Sequence, residues 1–166
     1  MADNKTVKFI DPNIGLDEER KAVIDLLNKR LSDIVVLYFK TRNYHWNVTG
    51  IHFGALHEFF EKQYDNLEAA MDEVAERVRQ LGGISLGTLA QVAQHAALKE
   101  EPGVVPTAEQ MIQNLLADHE TVIRQLREDV DATAEEYGDM GTSDFLTALM
   151  EDHEKMAWML RAHLEG

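Results

Sequence analysis

From Pro12 to Pro102, and again after Pro106, this chain runs without a proline. Proline removes a backbone donor and clashes with the preceding turn, so its absence over such lengths suits long helices. Within these stretches apolar residues recur at steps of three, four and seven. Val23, Leu26, Leu27, Leu31, Ile34, Leu37 and Tyr38 form one stripe, in a helix predicted from about Asp17 to Asn47. Val35, Val36 and Phe39 widen it beyond one face. Leu56, Phe60, Leu67, Met71, Val74, Val78 and Leu81 form a second, from about His52 to Leu81, closed by Gly82 and Gly83. A third starts at Thr107, where Thr-Ala-Glu-Gln reads as a capping box, and runs to about Tyr137. After a break at Gly138 to Gly141, a fourth spans about Ser143 to Leu164.

Residues 84–106 form the long connection, holding Gly87, Pro102, Gly103 and Pro106, and LGTLAQVAQHAAL inside it reads as a short helix. Four long helices with one long middle connection predict an all-α, ferritin-like four-helix bundle, with a crossover containing a short helix between helices 2 and 3. Residues 1–15, with Pro12 and Gly15, read as an N-terminal tail, and residues 16–166 as the bundle domain. No apolar run approaches a membrane span and no apolar signal region opens the chain, so the expected compartment is the cytoplasm. Without cysteine there is neither a thiolate metal site nor a thiol nucleophile. Phosphate-binding loops, dinucleotide fingerprints and serine nucleophile elbows are also lacking.

The chemistry concentrates between His45 and Glu76. His57 and Glu61 lie four apart, as do Asp72 and Glu76, and each pair shares a helix face. Eleven residues separate Glu61 from Asp72, close to three turns, so both pairs lie on one stripe. Along the axis they stand roughly 16 Å apart at about 1.5 Å per residue. Ligands within about 2.0–2.6 Å of one ion cannot span that gap. Each pair is therefore half a site. Two copies of helix 2 paired antiparallel about Asn66 and Leu67 would bring one copy's 57/61 half against the other's 72/76 half, with His45 joining the first. Two imidazoles and three carboxylates suit iron or zinc. A stripe of acids is also what a solvated helix face looks like, and spacing by itself leaves both readings open. An intrachain di-iron centre of the Glu-x-x-His kind is disfavoured: the residues three before the seven histidines are Arg42, Thr49, Gly54, Val92, Leu116, Met150 and Leu160. Asp118-His119-Glu120 and Asp152-His153-Glu154 read as polar packing or surface, with a secondary metal contact as the other reading.

The ordered set His45-Trp-Asn-Val-Thr-Gly50, His57-Glu58, Asp72-Glu-Val-Ala-Glu76-Arg and the ending Trp158-Met-Leu-Arg resembles the Dps family, the DNA-binding proteins from starved cells or mini-ferritins. The resemblance covers nearly the whole chain. It implies a hollow dodecamer built on two-fold dimers and a ferroxidase centre shared between subunits: His45, His57 and Glu61 from one, Asp72 and Glu76 from its neighbour. It implies oxidation of Fe(II), preferably by hydrogen peroxide rather than dioxygen, with ferric mineral stored in the cavity and protection against oxidative stress. Glu61 stands where the family commonly has Asp, one methylene shorter. Under the same resemblance Glu58, Asp65 and Glu68 are candidates for nucleating mineral, Asp139 and Asp144 for a pore, and Trp46 and Tyr44 for trapping stray oxidising equivalents. The alternative is a structural DNA-binding protein of the nucleoid with secondary metal binding. A formal charge of −14, and a tail in which Lys5 and Lys8 are offset by Asp3 and Asp11, predict weak DNA binding.

Overall fold

The computed structural model describes residues 7–165; Asp3 and Lys5 of the expected tail, and Gly166, lie outside the described residues. Five α-helices follow in order: α1 (Glu19–Asn47), α2 (Phe53–Gln80), α3 (Leu89–His95), α4 (Ala108–Asp131) and α5 (Met140–Ala162). There is no strand among the described residues. α1 packs chiefly along α2 and α4 chiefly along α5, while α3 lies on α1 and α2 and α5 meet only sparsely. The apolar stripes meet in one core, where Leu27, Ile34, Leu37, Phe60, Leu67, Leu115, Leu126 and Leu160 are fully buried. Each such side chain contributes about 1.5–3 kcal/mol.

The capping box at Thr107 forms: Thr107 accepts from the Gln110 N–H and the Gln110 side chain accepts in return. Thr88 and Gln91 make the same motif at the start of α3, fixing the short helix inside the crossover. The far end of the crossover is held by Asp33 of α1. Its fully buried carboxylate accepts from the Ala97 and Leu98 N–H groups at 2.6 and 3.0 Å. Arg30 pairs with Asp33 at 3.2 Å and with Asp129 of α4 at 2.9 Å, so one buried ionic cluster joins the crossover, α1 and α4. Removing one member of such a cluster costs about 3–5 kcal/mol, because its partner is left buried and unpaired.

Two boundaries differ from the sequence expectation. The third long helix is α-helical only to Asp131 and widens into a π-helical turn over Ala132–Glu136. Thr133 donates its hydroxyl to the Asp129 and Val130 carbonyls, and side-chain bonds of this kind compete with the helical ladder. α5 begins at Met140 rather than near Ser143. The chain reverses at Gly138, whose φ is 65°, and Asp139 then caps the helix by accepting from the Thr142 N–H at 2.9 Å.

The two Asp-His-Glu triplets split between surface and interior. Asp118 pairs with Lys40, Glu154 with Arg127 and Glu120 with Arg161. His119 and His153 are fully buried between α4 and α5, their Nδ1 atoms 3.0 Å apart and both Nε2 atoms without a partner. One proton fits between the two Nδ1 atoms; a second would be a buried charge. Burial accordingly pushes His119 well below the usual histidine range, with His153 beside it adding to the effect, and pushes His153 down to about 4. The unfolded chain binds protons on these rings below about pH 6.5 and the folded chain does not. Their contribution to stability is thus present above pH 6.5 and lost as pH falls toward 4. Asp129, raised by burial to about 6, acts in the opposite sense over much of the same range. The test is therefore differential. Denaturation midpoints of the wild type should fall relative to those of His119→Leu/His153→Leu between pH 7 and pH 5, and a difference that stays constant with pH would contradict the assignment.

Candidate metal centre

α1 and α2 form a hairpin through a short turn in which Gly50 takes a φ of 110°. The turn sets His45, in the last turn of α1, against His57, in the second turn of α2. The rings stack with centroids 3.7 Å apart and planes 20° from parallel. Each ring is tied to the other residue's backbone: His45 Nδ1 lies 2.7 Å from the His57 carbonyl oxygen, and His57 Nδ1 lies 2.9 Å from that of His45. A carbonyl oxygen only accepts, so both Nδ1 atoms carry the proton. In the neutral form of each ring the free lone pair is then on Nε2, the state a metal ligand requires.

Glu61, a turn further along α2, is exposed and accepts from the Tyr64 hydroxyl at 3.2 Å through Oε1. Tyr64 in turn packs edge-on against His45, centroids 5.2 Å apart at 84°. His45, His57 and Glu61 are thereby gathered at one end of the hairpin. Asp72 and Glu76 are exposed on the same helix, about three turns away, and are not brought to the first three. Among the described residues of one chain, no three histidine, aspartate or glutamate side chains converge closely enough to hold an ion. The donor set nevertheless fits a divalent metal: two neutral imidazoles with lone pairs left free, and carboxylates that are exposed and uncapped by Lys or Arg.

Of the candidate nucleation acids, Glu58, Asp65 and Glu68 are all exposed, and Asp65 and Glu68 share one open groove with Asp72. Trp46 is exposed and lies under the Arg42 guanidinium, 5.5 Å from its ring centroid. Tyr44 is buried, and its hydroxyl accepts from Asn114 at 3.0 Å. The two pore candidates part company. Asp139 is 4% exposed, and its oxygens are engaged by Thr142 and by Arg77, so it caps α5 rather than offering a free carboxylate. Asp144 is exposed. Sequence reasoning missed Tyr64, Tyr38 and Arg42, whose guanidinium lies over both tyrosine rings at 5.0 and 5.6 Å. The spacing held a signal for Tyr64: it stands three residues after Glu61, where helical side chains meet.

The chain matches the model of a ferritin-like domain over residues 24–166. It is 51% identical over 155 residues, 93% of this chain and 87% of the other, to an uncharacterized low temperature-induced protein of Nostoc sp.. It is 39% identical over 146 residues to the DNA protection during starvation protein of Brevibacillus brevis, covering 88% of this chain and 97% of that one. The crystal structure of the Dps protein from Vibrio cholerae O1, a member of a broad superfamily of ferritin-like diiron-carboxylate proteins, superposes with a TM-score of 0.87 at 30% identity, over 96% of this chain and all of that one.

Neutron diffraction from deuterium-exchanged, metal-free crystals tests the imidazole assignment. Deuterium should appear on Nδ1 of both His45 and His57, and in crystals held at alkaline pD not on Nε2; an Nδ1 without deuterium in either ring would refute it.

Proposed function

This chain belongs to the Dps family of ferritin-like proteins, and we propose that it is an iron-storage and detoxification ferroxidase whose centre closes only between two subunits. Iron storage and DNA protection are the family's general activities. The finer reading is carried by one observation: His45 and His57 are locked with both Nε2 lone pairs free beside Glu61, while Asp72 and Glu76 stand too far along the same rigid helix to complete the set. Two copies of α2 paired antiparallel supply the missing carboxylates twice, once at each end. An apolar groove of about 500 Å³ on α1 and α3, lined by Phe39, Trp46 and Leu89, is a further surface that contact with another copy would bury. The full assembly in this reading is a homo-dodecameric cage, built by residues 16–166, with residues 1–15 as an appended tail.

Fe(II) is the substrate. Two ions held at one shared centre each give up one electron, and hydrogen peroxide, the preferred acceptor over dioxygen, takes both as its O–O bond breaks. With two protons the oxygens leave as two waters, and no hydroxyl radical is released. The imidazole Nε2 atoms hold Fe(II), and the carboxylates of Glu61, Asp72 and Glu76 favour the harder ferric product. Asp144 lines the entry pore; Glu58, Asp65 and Glu68 start the mineral; Trp46 takes up stray oxidising equivalents. DNA is protected by removal of iron and peroxide. Direct contact with DNA is weak, because the chain carries a formal charge of −14. The protein works in the cytoplasm, beside the nucleoid; among the described residues no helix is long and apolar enough to cross a membrane.

Subunit mixing tests this reading. His57→Ala and Asp72→Ala should each abolish peroxide-dependent Fe(II) oxidation. When the two variants are unfolded together and co-assembled in equal amounts, half the dimers are mixed, and each mixed dimer holds one intact centre. About a quarter of the wild-type rate should return. No recovery from properly assembled mixtures would refute a shared centre.

A further inference from the structure

We infer that Tyr64 is the positioning residue that sets the Glu61 carboxylate for metal binding, and that it does so because this chain carries glutamate at that place. The inference rests on the proposed role of Glu61 as a ligand.

His45 and Glu61 come from different helices, and Tyr64 is a side chain that touches both. Its ring is edge-on to His45, and its hydroxyl reaches Glu61 Oε1 at 3.2 Å. The ring is itself fixed: 8% exposed, edge-on to Tyr38 with centroids 6.1 Å apart, and covered by the Arg42 guanidinium at 5.0 Å. Glu61, by contrast, is exposed and has one more rotatable bond than an aspartate would. A free glutamate loses rotamer entropy when it binds an ion, and one already anchored loses less.

The chemistry of the donor matters as well. A carboxylate only accepts, so the tyrosine hydroxyl donates and remains neutral. The nearby cation, Arg42, is occupied by the Tyr38 hydroxyl and three aromatic rings. Glu61 is thus oriented by a neutral donor, and its full negative charge is kept for the metal. The hydrogen bond engages Oε1 and leaves Oε2 to bind the ion.

Cobalt(II) binding to the metal-free assembled protein tests this, followed by calorimetry and by the visible ligand-field spectrum. Tyr64→Phe keeps the ring and deletes the hydroxyl. It should weaken Co(II) binding about tenfold, in the range typical of lost outer-shell partners, and alter the spectrum. In a Glu61→Asp background, whose carboxylate is set back by one methylene from the hydroxyl, the same change should alter affinity by less than about twofold. Equal losses in both backgrounds, or an unchanged spectrum in Tyr64→Phe, would overturn the positioning role. Glu61→Ala separates the two levels. If it leaves Co(II) binding intact, the ligand reading fails and this inference with it. If it abolishes binding while Tyr64→Phe has no effect, this inference alone fails.

Discussion

A helix is a rigid ruler, and α2 fixes the distance on which the account turns. Positions four apart share a face and can serve one ion. Positions eleven apart share the face but stand roughly 16 Å apart, too far for any common ligand sphere. The sequence places two such pairs on one helix, and the structure keeps that helix unbroken from Phe53 to Gln80. A single chain can therefore present the parts of a metal centre without assembling one. The hairpin with α1 completes the imidazole half by backbone geometry, each ring donating to the other residue's carbonyl.

What keeps this half-site in place lies partly elsewhere. α1 carries His45 at one end and, along its length, Asp33 and Arg30, which bind the crossover and α4. Arg77, next to Glu76, is anchored to Asp139 and Thr142 at the α4–α5 junction. The cap that starts α5 thereby restrains the end of α2 that carries the second pair of acids. Buried polar groups of this kind cost desolvation, and their value here is in fixing which helix faces which.

The helical layout was legible in the sequence because apolar period, proline spacing and the Thr107 capping box all pointed the same way. That His45 joins the His57 half was legible from its place close before α2; the stacking of the two rings was not. The start of α5 was not, because Gly141 reads in the sequence as part of the break, whereas Asp139 caps and the next residues are already helical. The π turn was hidden too, since it depends on Thr133 bonding back to two carbonyls. His119 and His153 sit in charged triplets that read as polar packing or surface, and the two rings do pack in the core; only the packing of α4 on α5 decides which member of each triplet turns inward. Tyr64 was overlooked for a related reason: a tyrosine on an apolar stripe is ordinarily core, and its hydroxyl acquires meaning only once Glu61 is seen within reach.

Iron-edge anomalous diffraction from crystals soaked in Fe(II) bears most directly on the shared centre. Paired halves of α2 predict anomalous peaks at both ends of a two-fold interface, each between His45, His57 and Glu61 of one chain and the Asp72 and Glu76 carboxylates of the other. Iron bound wholly within one chain, or no ordered iron at the two-fold interface, would contradict the account.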